Sequence, residues 1–234
     1  SLIVAGLGPG AEAQISPEVT AAVEAATDII GYIPYVERIP PRSGLTLHAS
    51  DNRVELDRAK LALTLTEAGK RVVIVSSGDP GVFAMAAAVF EAVEDGPAHW
   101  RELDITVLPG ITAMLAAAAR VGAPLGHDFC TINLSDNLKP FSLIEKRLRL
   151  AVEADFAMAL YNPRSKSRPE GFEKALRILK KACPDNRPIV FARAVSKAGE
   201  SISIKGLHEC TPEMADMQTI VIVGSSTTRL IKKS

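Results

Sequence analysis

The chain alternates between short runs of β-branched residues and longer alanine-rich stretches that have one apolar face. The short runs predict buried strands, and the longer stretches predict amphipathic helices. In the first half the predicted strands are Leu2–Ala5, Asp28–Ile30, Leu45–His48, Arg71–Ser76 and Asp104–Leu108. The first predicted helix begins at Ser16. Three further helices are predicted at Val54–Ala68, Gly81–Val93 and Ile111–Val121. Strands separated by helices of this length indicate a mostly parallel sheet covered on both faces.

The second half begins where this pattern breaks, in the segment Gly122–His127 with its two glycines and one proline. Beyond it we predict strands at Phe129–Leu134, Phe156–Tyr161 and Ile189–Ala192, with helices at Ser142–Ala154 and Glu170–Ala182. Two final strands, Ser201–Lys205 and Thr219–Val223, have no long helix between them, which predicts an antiparallel component. We therefore expect an α/β protein of two domains, residues 1–122 with a mostly parallel sheet and residues 123–234 with a mixed one.

Composition narrows the classes of partner. The 234 residues carry 27 basic and 27 acidic side chains, whereas proteins that neutralise many phosphates usually have a basic surplus, so nucleic acid is disfavoured. The apolar stretch Ile111–Ala119 is well short of the ~18–20 residues that span a bilayer. The N-terminal apolar run is too short for a signal-peptide core. We expect a cytoplasmic protein with no membrane partner.

The three cysteines, Cys130, Cys183 and Cys210, are far apart in the sequence and form no CxxC pair. Small disulfide-stabilised domains and structural zinc sites use paired cysteines at short spacings. We therefore expect reduced cysteines and no metal site.

Three glycine-rich segments each follow a predicted strand directly: Gly6–Gly10, Ser76–Gly81 and Pro109–Ala113. Ligands of open parallel sheets bind beyond the carboxyl ends of the strands, and glycine lets backbone groups approach a ligand closely. We expect the three loops to face one crevice. Asp79, in the second loop, has two roles open to it: accepting hydrogen bonds from a ligand ribose or ammonium group, or capping the helix predicted at Gly81.

A dinucleotide site is the main alternative, because Gly6, Gly8 and Ala11 fit the GxGxx(G/A) pattern of NAD-binding oxidoreductases. That pattern should open a helix at once, whereas the helix signals here wait until Ser16. Pro9 also lacks the backbone N–H that a phosphate requires. A P-loop is excluded, since no glycine precedes Lys-Ser or Lys-Thr. A non-catalytic nucleotide-binding module stays open as a further alternative.

The order and spacing of these loops resemble the tetrapyrrole methylase family over essentially the whole chain. Within the second half, four segments are similar to the branch that methylates a corrin precursor at C-17: His127–Phe129, Leu134–Asp136, Tyr161–Ser165 and Gly224–Arg229. Sirohaem-forming members carry a Tyr-Met pair where this chain has Tyr161-Asn162, so that branch fits less well.

The resemblance implies two α/β domains with a cleft between them, usually in a homodimer. It also implies transfer of a methyl group from S-adenosylmethionine to C-17 of a tetrapyrrole, with ring contraction, from precorrin-3B to precorrin-4 in cobalamin biosynthesis. Another tetrapyrrole methylase of that pathway, or one acting on the cobalt-bearing counterpart, is an alternative that the motifs leave open.

Site residues follow from the resemblance position by position. The implied cofactor contacts are Pro9, Ser77, Gly78, Asp79, Val82, Thr112, Ala113, Asn162 and Ala194. Some relatives have a catalytic aspartate after the second strand, but here Gly31–Tyr35 contains no acid. As proton-transfer candidates for the ring contraction we consider His48, His127, Asp136 and Lys139. The substrate is polyanionic, so we expect it to contact the cations Arg164, Lys166 and Arg168, with Arg38, Arg42 and Arg53 as a second group.

Replacement of Arg164 or Arg168 by Ala is expected to raise the substrate KM about tenfold, because each change removes a charge-assisted contact to a carboxylate. Binding of S-adenosylmethionine should change much less. Isothermal titration with each ligand separates the two effects, and unchanged substrate binding in both variants would contradict the assignment.

Overall fold

The computed structural model describes residues 1–51 and 54–231. The chain divides into two compact units, Ser1–Thr112 and Ala113–Ser234, and each unit has its own five-stranded sheet and its own hydrophobic core. The predicted α/β class is confirmed. None of the helices in the described ranges is long and apolar enough to cross a membrane.

The first unit alternates strands with helices, as predicted. Its strands are β1 (Leu2–Gly6), β2 (Asp28–Tyr32), β3 (Thr46–Ser50), β4 (Val72–Ser76) and β5 (Ile105–Leu108). Its helices are α1 (Pro17–Ala25), α2 (Ile33–Val36), α3 (Glu55–Glu67) and α4 (Met85–Asp95). The short helix α2 was not predicted.

All five strands of the first sheet are parallel and lie in the order β3-β2-β4-β1-β5. The alternating side chains of β4 enter two different cores, Val72 and Ile74 on one face and Val73 and Val75 on the other. Helices α3 and α4 cover the first face, and α1 and α2 cover the second. The predicted parallel sheet with both faces covered is confirmed.

Local sequence explains where α1 begins. Ser16 is extended, its hydroxyl accepts a hydrogen bond from the Val19 N–H at 3.2 Å, and Pro17 occupies the first helical position, where a missing N–H costs nothing. The prediction for this helix is confirmed.

The prediction that a helix begins at Gly81 is wrong, since α4 begins at Met85. The Gly81 N–H donates to the Asp79 carboxylate and the Val82 N–H donates to the Asp79 carbonyl, so these groups close a turn instead of a helix. Phe83 then adopts a left-handed conformation with φ of 53°. Asp79 therefore does not cap α4.

The second unit contains β6 (Phe129–Asn133), β7 (Ala157–Tyr161), β8 (Pro188–Arg193), β9 (Ser201–Gly206) and β10 (Thr219–Val223), with helices α5 (Ala113–Val121), α6 (Phe141–Glu153) and α7 (Gly171–Ala182). The strand order is β6-β7-β10-β8-β9. Strands β6 and β7 are parallel, whereas β10 is antiparallel to both β7 and β8, and β8 is antiparallel to β9. The predicted antiparallel component is confirmed. Strands β6, β7 and β8 consequently run in one direction and end at the same edge.

The compact units divide one helix earlier than the boundary that we expected near residue 122. Helix α5 packs its small residues Ala116 and Ala117 against Ala159, Ala192 and other buried residues of the second sheet. Small side chains allow this close helix-to-sheet contact, so α5 belongs to the second unit.

A partly buried hydrogen-bonded pair joins the first residue of β2 to the middle of β3. Asp28, only 4% exposed, accepts hydrogen bonds from Thr27 and from Nε2 of His48, each at 2.8 Å. Burial alone would raise the pKa of Asp28, but the hydrogen bonds from His48 and Thr27 outweigh it, and the pKa lies below its ordinary value. Because the folded pKa is lowered, the stabilisation is present above the unfolded pKa and is lost as the pH falls through the folded pKa.

We expect Asp28→Asn to lower the free energy of unfolding at neutral pH by about 1–3 kcal/mol, because the bond to His48 loses its charged acceptor. The difference in the free energy of unfolding between variant and wild type should become smaller as the pH falls below about 4. Urea unfolding at several pH values measures this, with the exposed Asp95→Asn as a matched control. A gap that does not depend on pH would contradict the prediction.

Candidate functional site

The three glycine loops follow three strands that are neighbours in the first sheet, in the order β4-β1-β5. Parallel strands end at the same edge, so the loops begin side by side. The three loops therefore lie at a common edge of the sheet, and the crevice that we expected there stays a prediction.

The first and second loops pair through their backbones. Gly8 and Gly78 exchange two hydrogen bonds of 3.2 and 2.8 Å, which form an isolated antiparallel bridge. Both glycines have positive φ, 67° and 61°, a conformation that a side chain would strain. These glycines therefore fix the loops to each other at the point where the strands end.

The third loop joins the other two at a contact that excludes any side chain. A Cβ on Gly110 would lie 2.2 Å from the Gly78 carbonyl oxygen, and a Cβ on Gly6 would lie 2.6 Å from the same atom. The Asp79 carboxylate bridges the second and third loops, since it accepts from the Gly81 N–H at 2.8 Å and from the Gly110 N–H at 3.0 Å. Asp79 is thus a structural tie, although its remaining lone pairs leave a ligand contact open.

Arg38 holds the first loop from the other side. Its guanidinium donates to the carbonyl oxygens of Leu7 and Gly10, at 3.4 and 3.1 Å. Arg42 similarly contacts three carbonyls at the end of α1, those of Val23, Glu24 and Ala26. These contacts give both arginines structural roles, so they do not support the expected second group of substrate cations. The third member of that group, Arg53, lies outside the described residues.

The predicted cofactor residues of the first unit lie in these loops and differ in accessibility. Pro9, Gly78 and Thr112 are buried, whereas Ser77, Asp79 and Val82 are half-buried. Buried members can act on a ligand only through backbone groups or packing, and the half-buried ones offer side chains as well.

Tyr35, which follows β2, lies beside the second loop and was missed by the sequence analysis. Burial raises the pKa of Tyr35, and hydrogen bonding with Ser77 acts in the opposite direction. The Tyr32 ring packs edge-on against it, with 5.3 Å between ring centroids. Tyr35 occupies the segment where some relatives carry a catalytic acid, and its polar hydroxyl after a strand end was the signal available in the sequence.

In the second unit, predicted residues gather at the edge where β6, β7 and β8 end. The Asn162 side-chain amide donates to Asn133 Oδ1 at 3.0 Å, and the same oxygen accepts from the Ser135 N–H at 2.9 Å. The Tyr161 hydroxyl accepts from the Met114 N–H at 3.1 Å, directly after Ala113. Asn133 and Tyr161 were missed as site residues, although both are polar residues at a strand end.

Asn162 and Ala194 both have left-handed backbones, with φ of 51° and 48°. For alanine this conformation costs roughly 1–2 kcal/mol. Ala194 is held there by hydrogen bonds that link its N–H to the Gln218 carbonyl and its carbonyl to the Lys197 N–H, both 2.9 Å. Strain of this kind concentrates at functional positions.

Two of the proton-transfer candidates do not follow a strand end. His48 lies in the middle of β3 and is bonded to Asp28 at the start of β2, and His127 is exposed just before β6 begins. Neither position favours a catalytic role.

The other two candidates, Asp136 and Lys139, follow β6 at its carboxyl end. Lys139 is half-buried and donates from Nζ to the Ser135 carbonyl at 3.0 Å. Burial, followed by the positive charges of Arg147 and Arg168, lowers the pKa of Lys139, while Asp136 partly offsets this. The structure thus brings Lys139 and Arg168 into one cationic group.

The three expected substrate cations follow β7 in a tight turn. Ser165 and Arg168 exchange backbone hydrogen bonds of 3.2 Å, which exposes Lys166 at the tip. Arg164 interacts electrostatically with the carboxylate of Glu213. The Arg168 guanidinium has no such acidic partner among the described residues, and its one hydrogen-bond contact to a described side chain is the sulfur of Met217, at 3.8 Å. Arg168 is therefore the member best placed to accept an anionic ligand.

Comparison with known proteins shows the family. The model of the family described as Tetrapyrrole (Corrin/Porphyrin) Methylases matches residues 1–209. The chain belongs to the tetrapyrrole methylase family. As a member it is a methyltransferase that uses S-adenosylmethionine.

Individual relatives are similar over their full length. A precorrin-3B C(17)-methyltransferase of Sinorhizobium sp is 52% identical over 100% of this methylase and 92% of the relative. A probable cobalt-factor III C(17)-methyltransferase of Salmonella typhimurium is 36% identical over 97% and 93%. A crystal structure of the methyltransferase CobJ is 64% identical, with a TM-score of 0.96, and covers 99% of this chain and 96% of its own.

Several N–H groups of the glycine loops of this methylase, which a pyrophosphate would need, are already hydrogen-bonded. The N–H groups of Leu7, Gly8 and Gly78 are bonded to backbone carbonyls, and those of Gly81 and Gly110 are bonded to Asp79. Prolines at 9, 80 and 109 have no N–H to offer. A pyrophosphate needs a group of unbonded N–H donors, whereas a sulfonium cation is stabilised by carbonyl oxygens and carboxylates. This argues physically against the dinucleotide alternative.

We expect Gly110→Ala to destabilise the first unit by more than about 3 kcal/mol, since backbone atoms of two other loops would have to move. Affinity for S-adenosylhomocysteine should fall with it. Thermal melting and isothermal titration measure the two effects. Gly171→Ala is the matched control, because a Cβ there meets no atom closer than 3.5 Å. Equal behaviour of the two variants would rule out the proposed loop contact.

Proposed function

We propose that this methylase transfers the methyl group of S-adenosylmethionine to C-17 of precorrin-3B, with contraction of the macrocycle to give precorrin-4 in cobalamin biosynthesis. The observation that carries the proposal is the 52% identity, over the entire chain, to a relative named for that reaction. Relatives named for cobalt-factor III are 36–38% identical, which favours the metal-free substrate over the cobalt-bearing one.

The proposed cofactor surface of the first unit is the carboxyl edge of β4, β1 and β5. Two observations support this proposal. The three loops converge, and each of the loop N–H groups named above already has a hydrogen-bond partner in the protein, so none is free to bind a phosphate. Ala113, Asn162 and Ala194 remain proposed contacts, supported by their common position at the carboxyl edge of the second sheet and by the strained backbones of the last two.

The chemistry supplied by S-adenosylmethionine is an electrophilic methyl on a sulfonium, so the protein mainly has to align donor and acceptor. Such alignment contributes ~7–11 kcal/mol to catalysis in favourable cases. The fixed loops suit this task, because three backbone segments are locked to one another before any ligand binds. A nucleophilic side chain is not needed.

Arg168 is the proposed main contact to a substrate carboxylate, with Arg164 and Lys166 in the same turn as further contacts. Lys139 is the proposed proton donor for the ring contraction. Burial and the charges of Arg147 and Arg168 lower the pKa of Lys139, which makes it a better proton donor than an ordinary lysine, and Arg168 would hold a substrate acid group beside it. Asp136 is the proposed partner of Lys139, because its negative charge partly offsets the lowering of the lysine pKa.

Two coarser features complete the proposal. We propose a homodimer, supported by the family resemblance and by exposed apolar side chains on two neighbouring helices, Leu61 on α3 and Phe90 on α4; the molar mass in solution measures it. A cytoplasmic location is proposed from the resemblance alone, and cell fractionation tests it.

A thermal-shift panel should show stabilisation by S-adenosylmethionine and S-adenosylhomocysteine and none by NADH or ATP. At a ligand concentration one hundred times Kd, stabilisation amounts to about 2.7 kcal/mol. Incubation with precorrin-3B and labelled S-adenosylmethionine should then transfer one methyl group and yield a ring-contracted product, as measured by mass spectrometry.

Stabilisation by NADH would overturn the methyltransferase assignment in favour of an oxidoreductase. Cofactor binding without methyl transfer to either substrate would favour a non-catalytic binding module. Faster turnover of cobalt-factor III than of precorrin-3B would replace the proposed substrate by its cobalt-bearing counterpart.

A further inference from the structure

Arg58, in the first turns of α3, is a cation buried inside the first unit. Its side chain is part of a residue that is only 5% exposed. Nε donates to the Ser50 hydroxyl at 3.0 Å, Nη2 donates to the Asp51 carbonyl at 2.9 Å, and Nη1 contacts the Met85 sulfur at 3.3 Å. The guanidinium therefore joins the end of β3 to the beginning of α4.

None of these three partner atoms, a hydroxyl oxygen, a backbone carbonyl oxygen and a thioether sulfur, carries a negative charge. No carboxylate of the described residues lies within ion-pair distance of the Arg58 guanidinium, and Glu55 acts on it only from farther away. Burial accordingly lowers the pKa of Arg58. A buried charge without a counter-ion is unfavourable, and buried charges are normally paired.

The contacts also leave hydrogen-bonding capacity unused. A guanidinium has five N–H groups, and three partner atoms are present here. One of the three is a thioether, which is a weak acceptor on a flexible side chain. Nη1 of the guanidinium is thus the nitrogen at which replacing the present partner by a stronger acceptor would improve hydrogen bonding most.

Arg58 lies at the functional edge of the sheet. Ser50 ends β3, Met85 follows the second glycine loop, and Tyr35 follows β2 and interacts electrostatically with Arg58. Tyr35 in turn interacts with Ser77, a proposed cofactor contact. A negative group bound near these residues would therefore lie beside the proposed cofactor surface.

We propose that Arg58 is a ligand-binding residue whose missing counter-ion is a carboxylate of a bound ligand. The planar fork suits bidentate binding of a carboxylate, which would replace the thioether contact of Met85. The inference rests on the proposed function, which supplies two sources of this chemistry: the amino-acid carboxylate of the cofactor and the acidic side chains of the tetrapyrrole.

The test compares wild type with Arg58→Met, a replacement of similar length that removes the charge. Isothermal titration uses three probes. S-adenosylhomocysteine carries the cofactor carboxylate, and 5′-methylthioadenosine lacks it. Uroporphyrin III is the probe for a tetrapyrrole with several carboxylates. The matched control is Arg71→Met, which removes an arginine at the amino end of β4, where it donates to the Ala25 carbonyl.

We expect Arg58→Met to weaken one carboxylate probe more than about tenfold and to leave 5′-methylthioadenosine unchanged. Loss confined to S-adenosylhomocysteine identifies the cofactor carboxylate, and loss confined to uroporphyrin III identifies the substrate. The melting temperature without ligand should stay the same or rise, because an unpaired buried charge has been removed. A purely structural arginine would give the opposite melting result.

Affinities for both carboxylate probes within about twofold of wild type would overturn the proposal, as would an equal loss in Arg71→Met. If Arg58→Met does not fold, Arg58→Lys keeps the charge but not the planar fork, and the same probe should weaken; unchanged binding overturns the proposal. Failure of the wild type to bind S-adenosylhomocysteine would instead count against the proposed function.

Discussion

The site depends on the contact at which the backbones of Gly6, Gly78 and Gly110 meet with no room for a side chain. Each of these glycines ends or follows a different strand, so the contact converts three separate chain segments into one rigid surface. The Asp79 carboxylate secures it by accepting from two of the loops, and Arg38 holds the outer loop by its carbonyls. Everything proposed about the cofactor assumes that this surface exists before the ligand arrives, because alignment can help a methyl transfer only if the aligning groups are already fixed.

The same contact determines which ligands the surface suits. Five N–H groups of the loops, those of Leu7, Gly8, Gly78, Gly81 and Gly110, already have partners within the protein, whereas a phosphate-binding loop keeps such donors for its ligand. A glycine pattern that resembles a dinucleotide motif by spacing thus lacks these donors once its hydrogen bonds are known. The distinction lies in where the N–H groups point, and the spacing of glycines does not record that. In the second unit the charge balance differs, since Lys139 and Arg168 form a group of cations that is suited to an anion.

Much of the fold could be predicted because its signals are local. Each predicted strand overlaps an observed one, and Ser16-Pro17 marked the beginning of α1 through capping chemistry. The positions of the glycine loops could be predicted because each loop directly follows a predicted strand in the sequence. The sequence was less informative where a distant residue decided the outcome. The helix predicted at Gly81 begins only at Met85, after a turn in which Asp79 bonds to Gly81 and Gly110. The bond of His48 to the start of the neighbouring strand likewise could not be predicted from the sequence. The buried Arg58 was missed because its position in an amphipathic helix gives no sign of a counter-ion.

The place of β1 in the centre of the first sheet has a consequence for how the protein reaches its native state. Leu2 pairs with Val72 on one side and with Ile105 on the other, so the earliest strand must wait for residues made long after it. At translation speeds of about 5–20 residues per second, that wait lasts roughly 5–20 s. During this interval at least one edge of the apolar strand β1 has no partner, and contacts of such high sequence separation also slow folding once the chain is complete. The first sheet, and with it the contact among the three glycine loops, can therefore be completed only after β5 has been made.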